Sequence, residues 1–142
     1  MGNRVLVTTD IILDFFTDRG EATRQAQIII RGSLRGSYEI VISVGTLNAI
    51  NYGLLGYGMT FLEVQECLSR LYQLVTVIEI EDLIESELIL RDKAYRDKLT
   101  ISTARRYGIE VIVTHLEINP QRFGISILSP ERFLYIFKDL LE

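Results

Sequence analysis

Apolar positions along this chain fall into short β-branched runs separated by longer stretches of helical spacing. Arg4-Val5-Leu6-Val7-Thr8 is the first such run and predicts a short buried strand. It passes without a linker into Ile11-Ile12-Leu13-Asp14-Phe15-Phe16, a helix if Thr9 or Asp10 caps it, and Asp18-Arg19-Gly20 breaks that helix. From Glu21 to Leu34 the residues Ala22, Ala26, Ile29 and Ile30 keep a helical period, which Gly36 stops. Glu39 to Val44 predicts a second strand. A helix follows from Thr46 to about Leu55, its end loosened by Gly53, Gly56 and Gly58.

Thr60 to Leu74 places Phe61, Val64, Cys67, Leu68, Leu71 and Leu74 on one side, and Thr60 with Glu63 has the spacing of a capping box. Val75 to Ile80 reads as a third strand, Glu81 to Leu90 as a helix, and Tyr95 to Tyr107 as another helix ended by Gly108. Val111 to Thr114 and Ile125 to Leu128 complete the strands. Ser129-Pro130-Glu131 opens a final helix through Leu141, with proline at its favoured first position. Short apolar strands alternating with helices predict an α/β fold: a three-layer α/β/α sandwich around a central, mainly parallel sheet of four to five strands. No repeat, low-complexity tract or linker interrupts residues 1–142, which read as one domain.

Composition narrows the setting. With 48% hydrophobic and 24% charged residues among 142, the chain can bury a proper core and is not a disordered one. A mean hydropathy of +0.22 predicts that some apolar surface is covered, most simply in a homodimer. A single cysteine, Cys67, excludes an intrachain disulfide and fits a reducing compartment, and its place on an apolar helix side reads as core packing. No secretory start and no run as long as a membrane span is present, so the expected location is cytoplasmic, away from membrane.

A net charge of −4 gives no general attraction to nucleic acid, so any such binding needs a local patch. Arg91, Lys93, Arg96, Lys98, Arg105 and Arg106 cluster against only Asp92 and Asp97. This stretch reads either as an RNA-backbone contact, carried by Arg96, Lys98, Arg105 and Arg106, or as a solvated helix face. Arg105-Arg106 is preceded by Thr103-Ala104, without the aromatic interleaving of single-strand binders.

In parallel sheets, ligands sit beyond the carboxyl ends of the strands, which directs attention to Thr8–Asp10, Ser43–Asn48 and Thr114–Asn119. Five segments at or near these places carry a resemblance. Val5 to Asp14 looks like the opening strand and helix of the PIN domain, a family of small metal-dependent ribonucleases that includes VapC-type toxins. Ser43-Val44-Gly45-Thr46-Leu47-Asn48 resembles that family's second motif, and Arg96-Asp97-Lys98-Leu99 its third. Ile112-Val113-Thr114-His115 resembles the start of the fourth, and Ile125 to Leu134 the usual ending. The match spans nearly the whole chain and looks closest to the subgroup with two helices inserted after the second strand.

The resemblance implies an acidic site holding Mg²⁺ or Mn²⁺, ions that activate water and neutralise the scissile phosphate. It implies Asp97 as the retained catalytic and metal-binding acid. The other acid positions depart from the pattern: Thr8 stands at the first, Asn48 at the second, and Leu116 and Asn119 replace the last acids. Neutral ligands hold Mg²⁺ far less well than carboxylates, so the expectation is a catalytically degenerate PIN-like module that binds RNA or protein and holds no cofactor. The alternative is a Mg²⁺- or Mn²⁺-dependent endoribonuclease of VapC type, restrained by an antitoxin-like protein.

Individual residues keep two readings each. Asp10 is an N-cap, or a ligand shifted in for the acid missing at position 8. Asp14 and Asp18 form one solvated helix face, with Asp14 near the mouth of the site, or follow Asp10 in an acidic stripe. Thr114 and Asn119 line the site as neutral oxygen donors. His115, the only histidine, is a structural residue in the place of the family's usual arginine, or a general base or phosphate contact; without Cys or His partners it makes no zinc site.

Overall fold

The computed structural model describes residues 3–79, 93–118 and 124–138, the side chains of 93–96 excepted. The predicted helix Glu81–Leu90 and the end of the final helix near Leu141 lie outside the described residues, as does Asn119. Five strands form a parallel sheet: β1 (Asn3–Val7), β2 (Tyr38–Ser43), β3 (Thr76–Ile78), β4 (Val111–Val113) and β5 (Ser126–Leu128). Their spatial order is β3-β2-β1-β4-β5, with β1 at the centre. Val5 pairs with Ile40 on one side and with Val111 on the other.

Strand alternation decides which helices lie where. Val5, Val7, Ile40, Ile42 and Val113 point to one face. There they meet α1 (Thr9–Phe16), α2 (Glu21–Leu34), α3 (Val44–Tyr57), α4 (Phe61–Leu74) and α6 (Pro130–Ile136). Leu6, Val41 and Ile112 point the other way, onto Ala104 of α5 (Lys93–Arg106) and Ile109. The result is the expected three-layer sandwich, with both faces of the sheet covered. Tyr38 joins the layers of the larger face: its hydroxyl donates to Ile29 O at 2.5 Å, and its ring meets Phe133 edge-on. Burial pushes the Tyr38 phenol far up from its ordinary value.

Several boundaries move for local reasons. Thr8 ends β1 and takes the N-cap position of α1, so Thr9 and Asp10 both lie inside the helix. Its side chain makes no capping bond, because the hydroxyl turns to Asp10 instead. Helix α3 starts at Val44, since Ser43 Oγ caps it by accepting the Thr46 N–H at 3.2 Å. It also runs through Gly53 and Gly56 to Tyr57, and only Gly58, with φ at +112°, ends it. A Cβ on Gly53 would come within 2.8 Å of Leu13 Cδ2, so this glycine allows α1 and α3 to approach closely. Thr60 and Glu63 form the expected capping box, and Pro130 opens α6 behind the Ser129 cap. Phe61, assigned above to the apolar side of its helix, is 71% exposed in the first turn of α4. Cys67 is half-buried against the core, and burial pushes its thiol up. Among the described residues, no helix is long and apolar enough to cross a membrane.

Candidate functional site

Strand order reverses at β1: the chain builds outward through β2 and β3, then returns to place β4 and β5 on the other side. The crevice between the carboxyl ends of β1 and β4 is therefore the switch point where α/β sheets hold ligands. Residues from both strand ends meet there. Thr8 N–H donates to Val113 O at 3.3 Å, which draws the start of α1 against the end of β4.

The side chains close this junction from within. Thr8 Oγ1 donates to Asp10 Oδ1, and the His115 backbone N–H donates to Asp10 Oδ2 at 2.7 Å. One turn further along α1, Asp14 Oδ2 lies 2.6 Å from His115 Nε2. Arg19 Nη1 is 3.5 Å from Asp14 Oδ1. Thr114, also buried, accepts the Leu116 N–H on Oγ1 at 3.0 Å, and its own N–H donates to Leu128 O. Leu116 itself is exposed.

Asp14 departs from its expected place on a solvated face. It is 2% exposed, because helical spacing puts it beside Ile11 on the side of α1 that turns into the core. Asp18 is exposed, and its N–H donates to the Tyr57 hydroxyl at 3.3 Å. Asp10 is not the N-cap; it sits in the first turn, where an acid also suits the helix dipole. Sequence reasoning missed the pairing of His115 and Arg19 with Asp14. The position of Asp14 on an apolar stripe was the available signal that it needed partners.

The other candidates are more dispersed. Asn48 is exposed on α3. Asp97 is half-buried on α5, beside exposed Lys98 and two turns before exposed Arg105 and Arg106. Arg96 also belongs to α5. Among the described residues, no three His, Cys, Asp or Glu side chains are disposed to hold a metal ion, so Asp10, Asp14 and Asp97 form no such group. Each carboxylate oxygen of Asp10 and Asp14 already faces a donor from the chain. A Mg²⁺ or Mn²⁺ ion at these carboxylates would compete with Thr8, His115 and the Arg19 charge, so this donor set fits either ion poorly.

The sequence matches no family model, and no curated protein matches it. The structure, in contrast, is similar to the crystal structure of Mycobacterium tuberculosis VapC20, a sarcin-ricin-loop-cleaving toxin. The two share 19% sequence identity at a TM-score of 0.53, over 76% of this chain and 86% of that one. With five parallel strands in this order, both faces covered and this structural likeness, the chain has a PIN-domain, VapC-like fold.

Proposed function

We propose that this chain is a single-domain, PIN-like module whose acidic site has lost catalysis, and that it works by binding another protein. The observation that carries the first half is the engagement of both α1 acids by Thr8, His115 and Arg19. A hydrolytic site of this kind needs carboxylates open to a cation and to the scissile phosphate. The test is thermal unfolding with and without millimolar Mn²⁺, together with incubation on RNA. A cation that does not bind the native state cannot shift its melting, so an unmoved Tm and intact RNA are expected. A clear rise in Tm, or cutting that Asp97→Asn abolishes, refutes the reading.

The choice of protein as partner is supported by the α3–α4 hairpin. From Ile40 to Leu62 the sequence has no charged side chain, yet Tyr52, Phe61 and Leu62 are each about two-thirds or more exposed, at 73%, 71% and 67%. Such a patch suits an apolar partner, a second copy included, with Glu63 and Glu66 at its edge. A homodimer in sedimentation velocity that Leu62→Glu converts to monomer would make the partner a second copy.

A second reading has its own support. The likeness to a toxin that cleaves the sarcin-ricin loop, and exposed Lys98, Arg105 and Arg106 on α5, favour RNA as the ligand. On that reading the protein is a Mg²⁺- or Mn²⁺-dependent endoribonuclease with an antitoxin-like partner. Salt-dependent RNA retention that Lys98→Glu weakens would favour RNA over protein.

A further inference from the structure

A carboxylate as deeply buried as Asp14 is costly unless other groups meet its charge. Two groups do so, and both reach it from the solvent side: the side chains of Arg19 and His115 are 48% and 39% exposed. The guanidinium supplies a permanent positive charge, and the imidazole supplies a short hydrogen bond. His115 does more than cap one acid. Its backbone N–H holds Asp10 while its ring holds Asp14, so one residue grips two successive turns of α1. The segment carrying it is itself fixed, since Thr114 bonds both Leu128 and Leu116. A divalent cation at this junction would do the same work, neutralising acids and cross-linking the elements that carry them.

We propose that His115 and Arg19 stand in for a cation here, latching α1 to the segment after β4 by groups of the chain itself. The proposal rests on the non-catalytic reading above and explains how the junction stays closed without metal. His115 is a positioning residue on this account: it acts by holding Asp10, Asp14 and the turn that presents Leu116.

The experiment compares thermal unfolding of the unaltered protein and His115→Ala, each in EDTA and in millimolar Mn²⁺. EDTA and Mn²⁺ are expected to leave the unaltered protein unmoved. His115→Ala should melt roughly 5–10 °C lower in EDTA. Mn²⁺ should then recover several degrees of that loss, because Asp14 Oδ2 is vacated for a real cation. A merely structural hydrogen bond predicts the loss without the recovery. A folded variant that Mn²⁺ does not raise, or that loses no stability, overturns the proposal. A Mn²⁺-induced rise in the unaltered protein counts instead against the non-catalytic reading. Should His115→Ala fail to fold, Arg19→Gln, on the exposed flank of the same carboxylate, is read by the same criteria.

Discussion

His115 Nε2 and Asp14 Oδ2 meet at 2.6 Å across 101 positions of the sequence, one partner half in solvent and the other buried. Their removal should therefore cost unequally. His115→Ala leaves a buried carboxylate with Arg19 alone, whereas Asp14→Ala leaves two donors that water already reaches. An orphaned buried charge is the more expensive remnant. The expected losses are about 2–3 kcal/mol for His115→Ala and about 1–2 kcal/mol for Asp14→Ala. Urea unfolding of both variants checks the order, which equal losses would contradict.

Gly53 and Leu13 are a second coupled pair. Adding a Cβ at Gly53 brings it to 2.8 and 2.9 Å from the two Leu13 methyls. Alanine in mid-helix gains roughly 1 kcal/mol over glycine, but crowding a packed interface costs about 1–3 kcal/mol. Gly53→Ala should thus destabilise by about 1 kcal/mol. In a Leu13→Ala background the same change should be stabilising, since only the propensity gain remains. Denaturant midpoints of the four proteins give the coupling directly.

These pairs mark the boundary of what sequence could reveal. Local devices were legible: Thr60 with Glu63, and Ser129 with Pro130, act within one helical turn. The strands were legible too, because runs such as Val5-Leu6-Val7 are covered on both sides and so lack polar positions. The contacts of the site were not. Nothing in the spacing of Asp14 names His115 as its partner, since sheet pairing of β1 with β4 brings them together. Phe61 misled for a different reason. Its apolar spacing fits the buried side of α4, but it sits in the first turn, where it is largely exposed. Gly53 resembled a helix end because its reason for being there, the nearness of Leu13, lies on another helix.

The capping box gives a pH prediction with a definite sign. Hydrogen bonds with Thr60 hold the Glu63 carboxyl below its ordinary value. A carboxyl whose folded pKa is depressed contributes stability above its unfolded pKa, and that contribution is lost as pH falls through the folded value. Thr60→Ala removes both the cap and the cause of the shift. It should cost about 1 kcal/mol at neutral pH, and the gap from the unaltered protein should narrow in acid. Because Glu63 is fully exposed, high salt should weaken the pH dependence. Thermal melts across the acid range, at low and high salt, test both statements.

The last prediction concerns whether the site could be rebuilt. Thr8→Asp costs the start of α1 no capping bond, because the Thr8 side chain makes none and aspartate is at least as good an N-cap residue. The new carboxylate, however, replaces the hydroxyl that now donates to Asp10 Oδ1. Two acids then face each other, a like-charge contact that costs about 1–2 kcal/mol. The His115 N–H still occupies Asp10 Oδ2, so Asp10 turns Oδ1 toward the space shared with the new carboxylate. That space suits a hard cation, and millimolar Mn²⁺ should raise the melting temperature of Thr8→Asp. Thr8→Val, which frees Asp10 Oδ1 without adding charge, should respond to Mn²⁺ less than Thr8→Asp. If Thr8→Asp gains nothing over Thr8→Val, the crevice at the end of β1 has lost the shape of a cation site as well as its acids.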